Sequence, residues 1–217
     1  MTSEVGRLDE AARESARSFD LLNSVAPDSP EAAFSELDLS QALFLSRRLE
    51  EAKTHADRIA ERFPREMPES PSLATALAGR AEILIRMHRL DDADRDLSEA
   101  SAILTRTGHL RGAMVVVGRR GEVLTARGEA VKALPLLERN LREVAPYAPL
   151  HIAEAEFEVA KARRAIWPGD AKAIDLARKA DAVFAAQPSL AGEHERVVTW
   201  LATERRPRSP LRQRSRE

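Results

Sequence analysis

Histidines are the side chains best suited to metal binding or proton transfer, and this chain of 217 residues has five of them. A metal site on a helix needs two ligands on one face, as the H-x-x-x-H and H-E-x-x-H motifs provide, and no two of these histidines have that spacing. We expect His88 to lie in a turn and His55 on an exposed helix face, so the histidines predict no metal site. The five are His55, His88, His109, His151 and His194.

Phosphate binding and acid–base catalysis have equally little support. The segment Gly118-Arg119-Arg120-Gly121 has two glycines, but it lies within a helical pattern, whereas a phosphate cradle needs a turn from a strand into a helix. We expect these glycines to allow a close contact between packed helices. The carboxylate pairs Glu50-Glu51 and Asp91-Asp92 open predicted helices, where negative charge complements the helix dipole. We therefore predict a chain that is not an enzyme, with no catalytic residue, no cofactor and no metal.

The composition narrows the class further. The chain has no cysteine, which excludes disulfides, thiolate zinc sites and cysteine nucleophiles. Hydrophobic residues make up 43% and aromatic residues 4%, which favours a core of small and straight-chain residues in helices. The formal net charge of -1 argues against nucleic acid or a membrane surface as partner of the whole chain. Without a signal-peptide pattern or a run of about 18 apolar residues, we expect a cytoplasmic protein with no membrane partner.

An internal repeat is the strongest signal in the sequence. Five similar short segments each end in an alanine, and successive alanines are 40, 41, 40 and 40 residues apart. Small or apolar residues recur four and seven positions later, as in Ala52, Ala56 and Ile59, which places them on one face of a helix. The five alanines are Ala12, Ala52, Ala93, Ala133 and Ala173.

A further amphipathic segment precedes each of the last four alanines, and short breakers separate the two predicted helices of each pair. Proline and glycine interrupt helices for steric reasons, so the stretches 64–71 and 146–149 predict turns between repeats. Ser29-Pro30 and Ser70-Pro71 each predict an N-cap followed by proline at the first helical position. The breakers within the pairs are Arg47-Arg48, His88-Arg89, Arg127-Gly128 and Trp167-Pro168-Gly169.

Together these segments resemble the tetratricopeptide (TPR) helix-turn-helix, although their period of about 40 residues exceeds the ~34 that is typical of the family. The fourth pair departs from the family pattern at its turn, 167–170. The layout is similar to TPR variants in large bacterial regulators and in the C-terminal arrays of bacterial Ser/Thr kinases. The resemblance implies an all-α fold, a right-handed superhelix (α-solenoid) of TPR-like helix pairs. The matching positions are Leu49, Ala52 and Pro64 in the first pair, Ala81, Leu90 and Ala93 in the second, and Gly121, Gly128 and Ala133 in the third.

The repeat divides the chain into a leading helix, four helix pairs, a C-terminal capping helix and a basic tail. The leading helix has the pattern of a second helix with no first helix before it, so it is either a cap or a half-repeat. For the tail, Arg205–Arg216, we expect a solvated and disordered segment, and a contact with nucleic acid or an acidic partner is the alternative. The predicted bounds are 1–26 for the leading helix, 27–187 for the pairs (27–67, 68–107, 108–147 and 148–187), 188–205 for the capping helix and 206–217 for the tail.

The resemblance also implies a concave groove lined by the first helix of each pair. We expect this groove to bind a peptide or a partner protein, which makes the chain an interaction module or adaptor. One alternative is a regulatory module that controls an attached or partner effector, such as a kinase or a transcription regulator. Another is a self-associating scaffold, a homo-oligomer formed through the N-terminal half-repeat. The groove candidates are Gln41, Phe44, Leu45, Glu82, Ile85, Arg86, Glu122 and Thr125. Of these, Phe44, Leu45 and Ile85 also fit positions in the hydrophobic core.

Overall fold

The computed structural model describes residues 2–68, 70–144 and 149–204, and these residues form ten α-helices and one short 3₁₀ turn, Pro188–Leu190. The basic tail predicted at 206–217 lies outside the described residues. The helices are α1 (Thr2–Val25), α2 (Pro30–Leu45), α3 (Leu49–Glu66), α4 (Pro71–Arg86), α5 (Leu90–Thr107), α6 (Leu110–Ala126), α7 (Ala130–Val144), α8 (Pro149–Ile166), α9 (Ala171–Ala185) and α10 (Ala191–Glu204).

The helices pack as a series of pairs. Each helix contacts mainly its neighbours in the chain, and α2–α3, α4–α5, α6–α7 and α8–α9 form four helix hairpins. The first helices α2, α4, α6 and α8 also contact one another from one hairpin to the next, so they line one side of the stack. The predicted all-α solenoid is confirmed. In the described part of the chain, no helix is long and apolar enough to cross a membrane.

The turn inside each hairpin contains one residue in the left-handed backbone conformation. These residues are Arg47, His88, Gly128 and Gly169, with φ of 61°, 58°, 80° and 86°. In the first turn the amide of Arg48 donates to the carbonyl of Leu43 at 2.9 Å, and the amides of Arg89 and Glu129 make the equivalent bonds in the next two. This is the Schellman arrangement, which satisfies carbonyl groups at the end of the first helix. The breakers predicted inside the pairs are therefore confirmed as turns.

The predicted N-caps are also confirmed. The hydroxyl of Ser29 accepts from the amide of Ala32 at 3.1 Å, and the hydroxyl of Ser70 accepts from the amide of Leu73 at 3.1 Å. The assignment of Pro64 to the turn between repeats is wrong, because α3 continues to Glu66. Phe63, which is fully buried, anchors this last turn in the core, and only Arg65 and Glu66 follow the proline in the helix, so a bend at Pro64 displaces little of α3.

Small residues let the helices approach one another closely. The five repeat alanines are at most 1% exposed, and each lies on the second helix of a hairpin or on α1. On α6, a Cβ added to Gly121 would lie 2.4 Å from Leu137 Cδ2, and one added to Gly118 would lie 2.8 Å from Asn140 Nδ2. The prediction that these two glycines mark a contact between packed helices is confirmed.

Candidate partner-binding site

A hollow lies between α2, α4 and α8 on one side and α10 on the other. It has a volume of about 650 Å³, and we call it the central cavity. Phe44 and Arg86 face it from α2 and α4, while Phe157, Lys161 and Trp200 face it from α8 and α10. The cavity is thus formed by helices that are far apart in the chain, and α10 supplies one of its walls.

Apolar contacts hold α10 against α8. Val197 is fully buried, and the Trp200 ring meets the Phe157 ring edge-on, with centroids 5.8 Å apart. The guanidinium of Arg164 lies 4.1 Å from the centre of the Trp200 ring and donates to the Trp200 carbonyl at 3.1 Å. The stacked cation and the edge-on aromatic pair fix the tryptophan as part of the cavity wall.

Ion pairs then connect α10 to the opposite end of the stack. Arg47 Nη2, in the first hairpin turn, lies 2.5 Å from Glu195 Oε2. On α4, Arg86 Nη2 lies 3.4 Å from Glu193 Oε1, and Glu193 also pairs with Arg196 of its own helix. The pairs of α10 with Arg47 and Arg86 join residues more than 100 positions apart, so α10 crosses the concave side of the stack rather than extending it.

Glu122, on α6, is the centre of the charges beneath the cavity. Its carboxylate accepts from Arg86 Nη1 at 3.0 Å, from Arg119 Nη1 at 3.3 Å and from Lys161 Nζ at 3.5 Å, and Arg196 Nη2 lies 3.7 Å away. The residue is only 4% exposed. Burial by itself would raise the pKa of Glu122, but the four surrounding cations outweigh burial and lower it below its ordinary value. Glu122 is therefore held ionised.

Two other carboxylates on the first helices flank Glu122. Glu82 Oε2 lies 2.6 Å from Arg119 Nη2, and Glu158 Oε2 lies 2.7 Å from Lys161 Nζ. Burial raises the pKa of Glu82 and of Glu158, the charge of Glu122 adds to both increases, and the neighbouring cations offset them only in part. Burial would lower the pKa of Arg119, but the carboxylates around it raise that pKa.

Glu122 and the seven charged residues around it form what we call the groove charge cluster, and it contains four cations and four carboxylates. Every member forms an ion pair with an opposite charge, so the cluster is a fixed set of charges that can orient a polar ligand. Perturbed carboxyl groups also occur in catalytic sites, but these lie in a balanced network of ion pairs. Among the described residues, no group of three or more metal-binding side chains could hold a metal ion. The members are Glu82, Arg86, Arg119, Glu122, Glu158, Lys161, Glu193 and Arg196.

Comparison with known proteins identifies the fold. No protein-family model matches the chain, and no curated protein matches its sequence. Two solved structures of a Podosopora anserina putative kinesin light chain with nearly identical TPR-like repeats match this chain. The TM-score is 0.60 for one of them and 0.62 for the other, which carries a single substitution. Both are 18% identical to this chain and cover 83% of it, which corresponds to 89% and 88% of their own lengths. BtubC (BKLC) from P. vanneervenii matches with a TM-score of 0.61 and 14% identity over 97% of both chains.

The chain has a TPR-like fold. The resemblance drawn from the sequence is confirmed, and at these identities the likeness extends to the fold alone. In this TPR-like array, the glycines of α6 and the repeat alanines mark the close contacts between neighbouring helices.

The structure places the eight groove candidates in four different environments. Phe44, Leu45 and Arg86 line the central cavity, while Glu82 and Glu122 belong to the groove charge cluster. Ile85 is 6% exposed and packs in the hydrophobic core, so it does not face the groove. Gln41 is exposed away from the cavity lining, and the Thr125 hydroxyl donates to the Gly121 carbonyl at 2.9 Å, also away from that lining.

Sequence reasoning missed the half of the cavity that comes from the end of the array. Phe157 and Lys161 on α8 occupy a first helix, so the TPR register could have found them had it been extended to the fourth pair. Glu193, Arg196 and Trp200 stand at positions i, i+3 and i+7 of α10, which puts them on one helix face. That spacing predicts a shared face, but it does not show what the face contacts.

The expectation for His55 is wrong. Its Nδ1 lies 2.9 Å from Glu36 Oε1, and the side chain is 18% exposed. The Phe19 ring of α1 covers it edge-on, with ring centroids 5.5 Å apart. The histidine is half-buried because the leading helix packs over the first hairpin, a contact that the repeat pattern of the hairpin itself does not predict. His88, in contrast, lies in a hairpin turn and is exposed, as expected.

Proposed function

We propose that this chain is a non-enzymatic protein-interaction module that binds a peptide segment of a partner protein in the central cavity. The observation that carries the proposal is the cavity itself, because it combines an aromatic wall with a fixed set of charges on the concave side of a TPR-like array. Its volume of about 650 Å³ falls within the ~300–1,000 Å³ of ordinary ligand pockets. Helical-repeat arrays present extended concave surfaces of this kind to their partners.

The lining indicates the chemistry of the segment that would fit. The half-buried side chains of Leu45, Leu190 and Trp200 offer apolar area for a hydrophobic side chain, and aromatic anchors contribute most at protein interfaces. Phe44 and Phe157 are buried, so they give the wall its rigidity rather than its area. Five cations and two carboxylates line the cavity, which favours acidic side chains next to those hydrophobic anchors. The charged lining residues are Arg47, Arg86, Lys161, Arg164, Arg196, Glu193 and Glu195.

Two neighbouring residues of α10 allow a matched test of the cavity. Thr199 lines it and is exposed, whereas Val198 is 43% exposed and does not line it. Thr199→Trp fills the cavity without disturbing the core, and Val198→Trp adds the same bulk outside the cavity. We would select a random peptide library against the purified wild-type chain and measure binding of the enriched peptides by fluorescence polarisation. We expect Thr199→Trp to weaken binding at least about tenfold and Val198→Trp to leave it unchanged.

If Thr199→Trp binds the enriched peptides as tightly as Val198→Trp does, the central cavity is not the binding site. If no peptide family is enriched by the wild-type chain, the proposed peptide-binding function itself is contradicted. Charge reversal of Glu82 or Arg86 is a poorer test than Thr199→Trp, because both residues belong to the groove charge cluster and their loss would disturb folding.

A self-associating scaffold is the second candidate, and one feature of α1 favours it. Leu21 and Val25 are 67% and 76% exposed near the C-terminal end of that helix. Paired apolar side chains on one exposed helix face favour contact with a second copy. Sedimentation velocity over a range of concentrations tests this function: a concentration-dependent dimer in the wild type that Leu21→Glu abolishes supports it, and a monomer throughout contradicts it.

A further inference from the structure

Helix α10 is held differently from the helices of the array. Of its described side chains, only Val197 is fully buried, whereas nine of the 16 residues of α4 are buried. Trp200 and Leu201 pack, half-buried, against the same core, and the rest of its attachment comes from charges, including the exposed pair Arg47–Glu195, in which both side chains are more than half exposed. Exposed ion pairs contribute little free energy to folding. The attachment of α10 therefore combines a small apolar contact with a specific set of ion pairs.

The groove-facing side of α10 matches the surface beneath it position by position. Glu193 faces Arg86 on α4, and Arg196 faces Glu122 on α6 and Glu158 on α8. One turn further along, Trp200 packs on Phe157. Glu193 thus meets a cation, Arg196 meets two carboxylates, and Trp200 meets an aromatic ring. The three residues follow one another at spacings of three and four positions.

We propose that α10 is the resident occupant of the helix-binding surface of this array, and that the partner is an amphipathic helix with the same order of acidic residue, arginine and aromatic residue. The partner helix binds by displacing α10. This inference rests on the proposed function, because it names the partner and the regulation of the same groove. A protein whose binding surface is mostly covered binds more weakly in proportion to the uncovered fraction, so α10 sets the affinity for the partner.

The first test measures how firmly α10 is attached. Glu193→Lys with Glu195→Lys places two cations against Arg47, Arg86 and Arg196. In hydrogen–deuterium exchange, we expect the amides of α10 to exchange at least about tenfold faster in this variant, while those of α4 to α9 keep their wild-type rates. The control is Glu14→Lys with Asp175→Lys, which makes the same change of charge at exposed pairs on α1 and α9.

A charge swap separates the ion pair from other effects of these substitutions. Glu195→Arg alone removes the pair with Arg47 and opposes two cations, whereas Arg47→Glu with Glu195→Arg restores the pair in the opposite order. Because the pair is exposed, we expect the single variant to accelerate exchange in α10 by only about two- to fivefold, and the swap to restore slow exchange. If α10 exchanges at the wild-type rate in the double-lysine variant, or if α4 to α9 accelerate together with it, then α10 is an integral cap and the proposal is overturned.

The second test asks whether the uncovered surface recognises the pattern of α10. A fluorescent synthetic peptide of residues 188–204, with the wild-type sequence, is added to the full-length chain. We expect the Glu193→Lys, Glu195→Lys chain to bind it at least about tenfold more tightly than the wild-type chain, whose own α10 competes with it. The same peptide with Arg196→Glu should not bind, because it brings a carboxylate to Glu122 and Glu158. Equal binding of the two peptides would overturn the proposed pattern.

The two proposals fail in different ways. A wild-type chain that enriches no library peptides contradicts the proposed function. Library peptides that bind the central cavity while α10 keeps its slow exchange, with or without peptide, leave the function standing and contradict only the displacement of α10.

Discussion

Two glycines in first helices predict opposite effects of the same substitution. Gly121, on α6, packs against Leu137, which is fully buried, and an alanine Cβ there would lie 2.4 Å from Leu137 Cδ2 and 2.5 Å from Leu137 Cγ. Gly79, in the interior of α4, has no atom within 4 Å of an added Cβ. We expect Gly79→Ala to stabilise the protein and Gly121→Ala to destabilise it.

The magnitudes follow from two competing effects. Replacing glycine by alanine inside a helix favours folding by about 0.8–1 kcal/mol, and at Gly79 nothing opposes this gain. At Gly121 the new methyl group lies more than 1 Å inside the ~3.5–4.0 Å of ordinary carbon–carbon contact. Overpacking of a well-filled core costs about 1–3 kcal/mol, and Leu137, against which the methyl group would press, is fully buried. The net loss at Gly121 is therefore up to about 2 kcal/mol.

Urea unfolding followed by circular dichroism measures both free energies of unfolding. The double variant Gly121→Ala, Leu137→Ala is the control for the proposed contact, because without the leucine side chain the added methyl group should no longer destabilise. If Gly121→Ala is as stable as the wild type, or if it costs as much in the Leu137→Ala background, then α6 and α7 are not held at this close distance by rigid packing.

Three other substitutions test separate features of the array. His88 has a left-handed backbone conformation at an exposed turn, which glycine adopts without strain. We expect His88→Gly to raise the free energy of unfolding by about 0.5–1 kcal/mol and the melting temperature by a few degrees. An unchanged or lower melting temperature would contradict this. Ser70→Ala removes the N-cap of α4 and should lower the free energy of unfolding by about 1 kcal/mol. The control Ser98→Ala, at an exposed position of α5, should change it little. Equal melting temperatures of the two variants would show that the cap does not stabilise α4. Glu122→Gln leaves buried cations without their shared carboxylate and should cost about 3 kcal/mol or more at pH 7. The folded-state pKa of Glu122 is lowered, so its contribution is complete above the unfolded pKa of about 4.3 and is lost as pH falls below it. The difference in unfolding free energy between wild type and Glu122→Gln should therefore shrink from about pH 5 towards about pH 3, and a constant difference would show that the charge of Glu122 does not stabilise the fold.

The hairpins could be predicted from the sequence because their signals are local. A buried alanine such as Ala93 is selected by the close approach of a neighbouring helix, so the repeat of the packing appears directly as a repeat in the sequence. Ser70-Pro71 carries the start of α4 within two adjacent residues. Each of these features requires a particular residue type at a particular position.

The closure of the groove by α10 has no local signal of that kind. Glu193 and Arg196 read in sequence as an ordinary surface pair three positions apart, and in the structure they do pair with each other. Whether they also reach Arg86 and Glu122 depends on the curvature that accumulates over four hairpins. His55 illustrates the same limit on a smaller scale, because its burial depends on where α1 lies.

The balanced charges of the groove charge cluster constrain how any partner can be recognised. Glu193 already neutralises Arg86, and Glu122 is shared by cations from α4, α6, α8 and α10. An acidic group of a ligand that approaches Arg86 must therefore compete with Glu193, and in doing so it weakens a contact of α10. Because the cations that could attract an acidic partner are the same cations that hold α10, ligand recognition and the position of α10 are coupled through common residues. The coupling is reciprocal: release of α10 would strengthen the binding of an acidic ligand at Arg86 by the same free energy by which that ligand favours the release of α10.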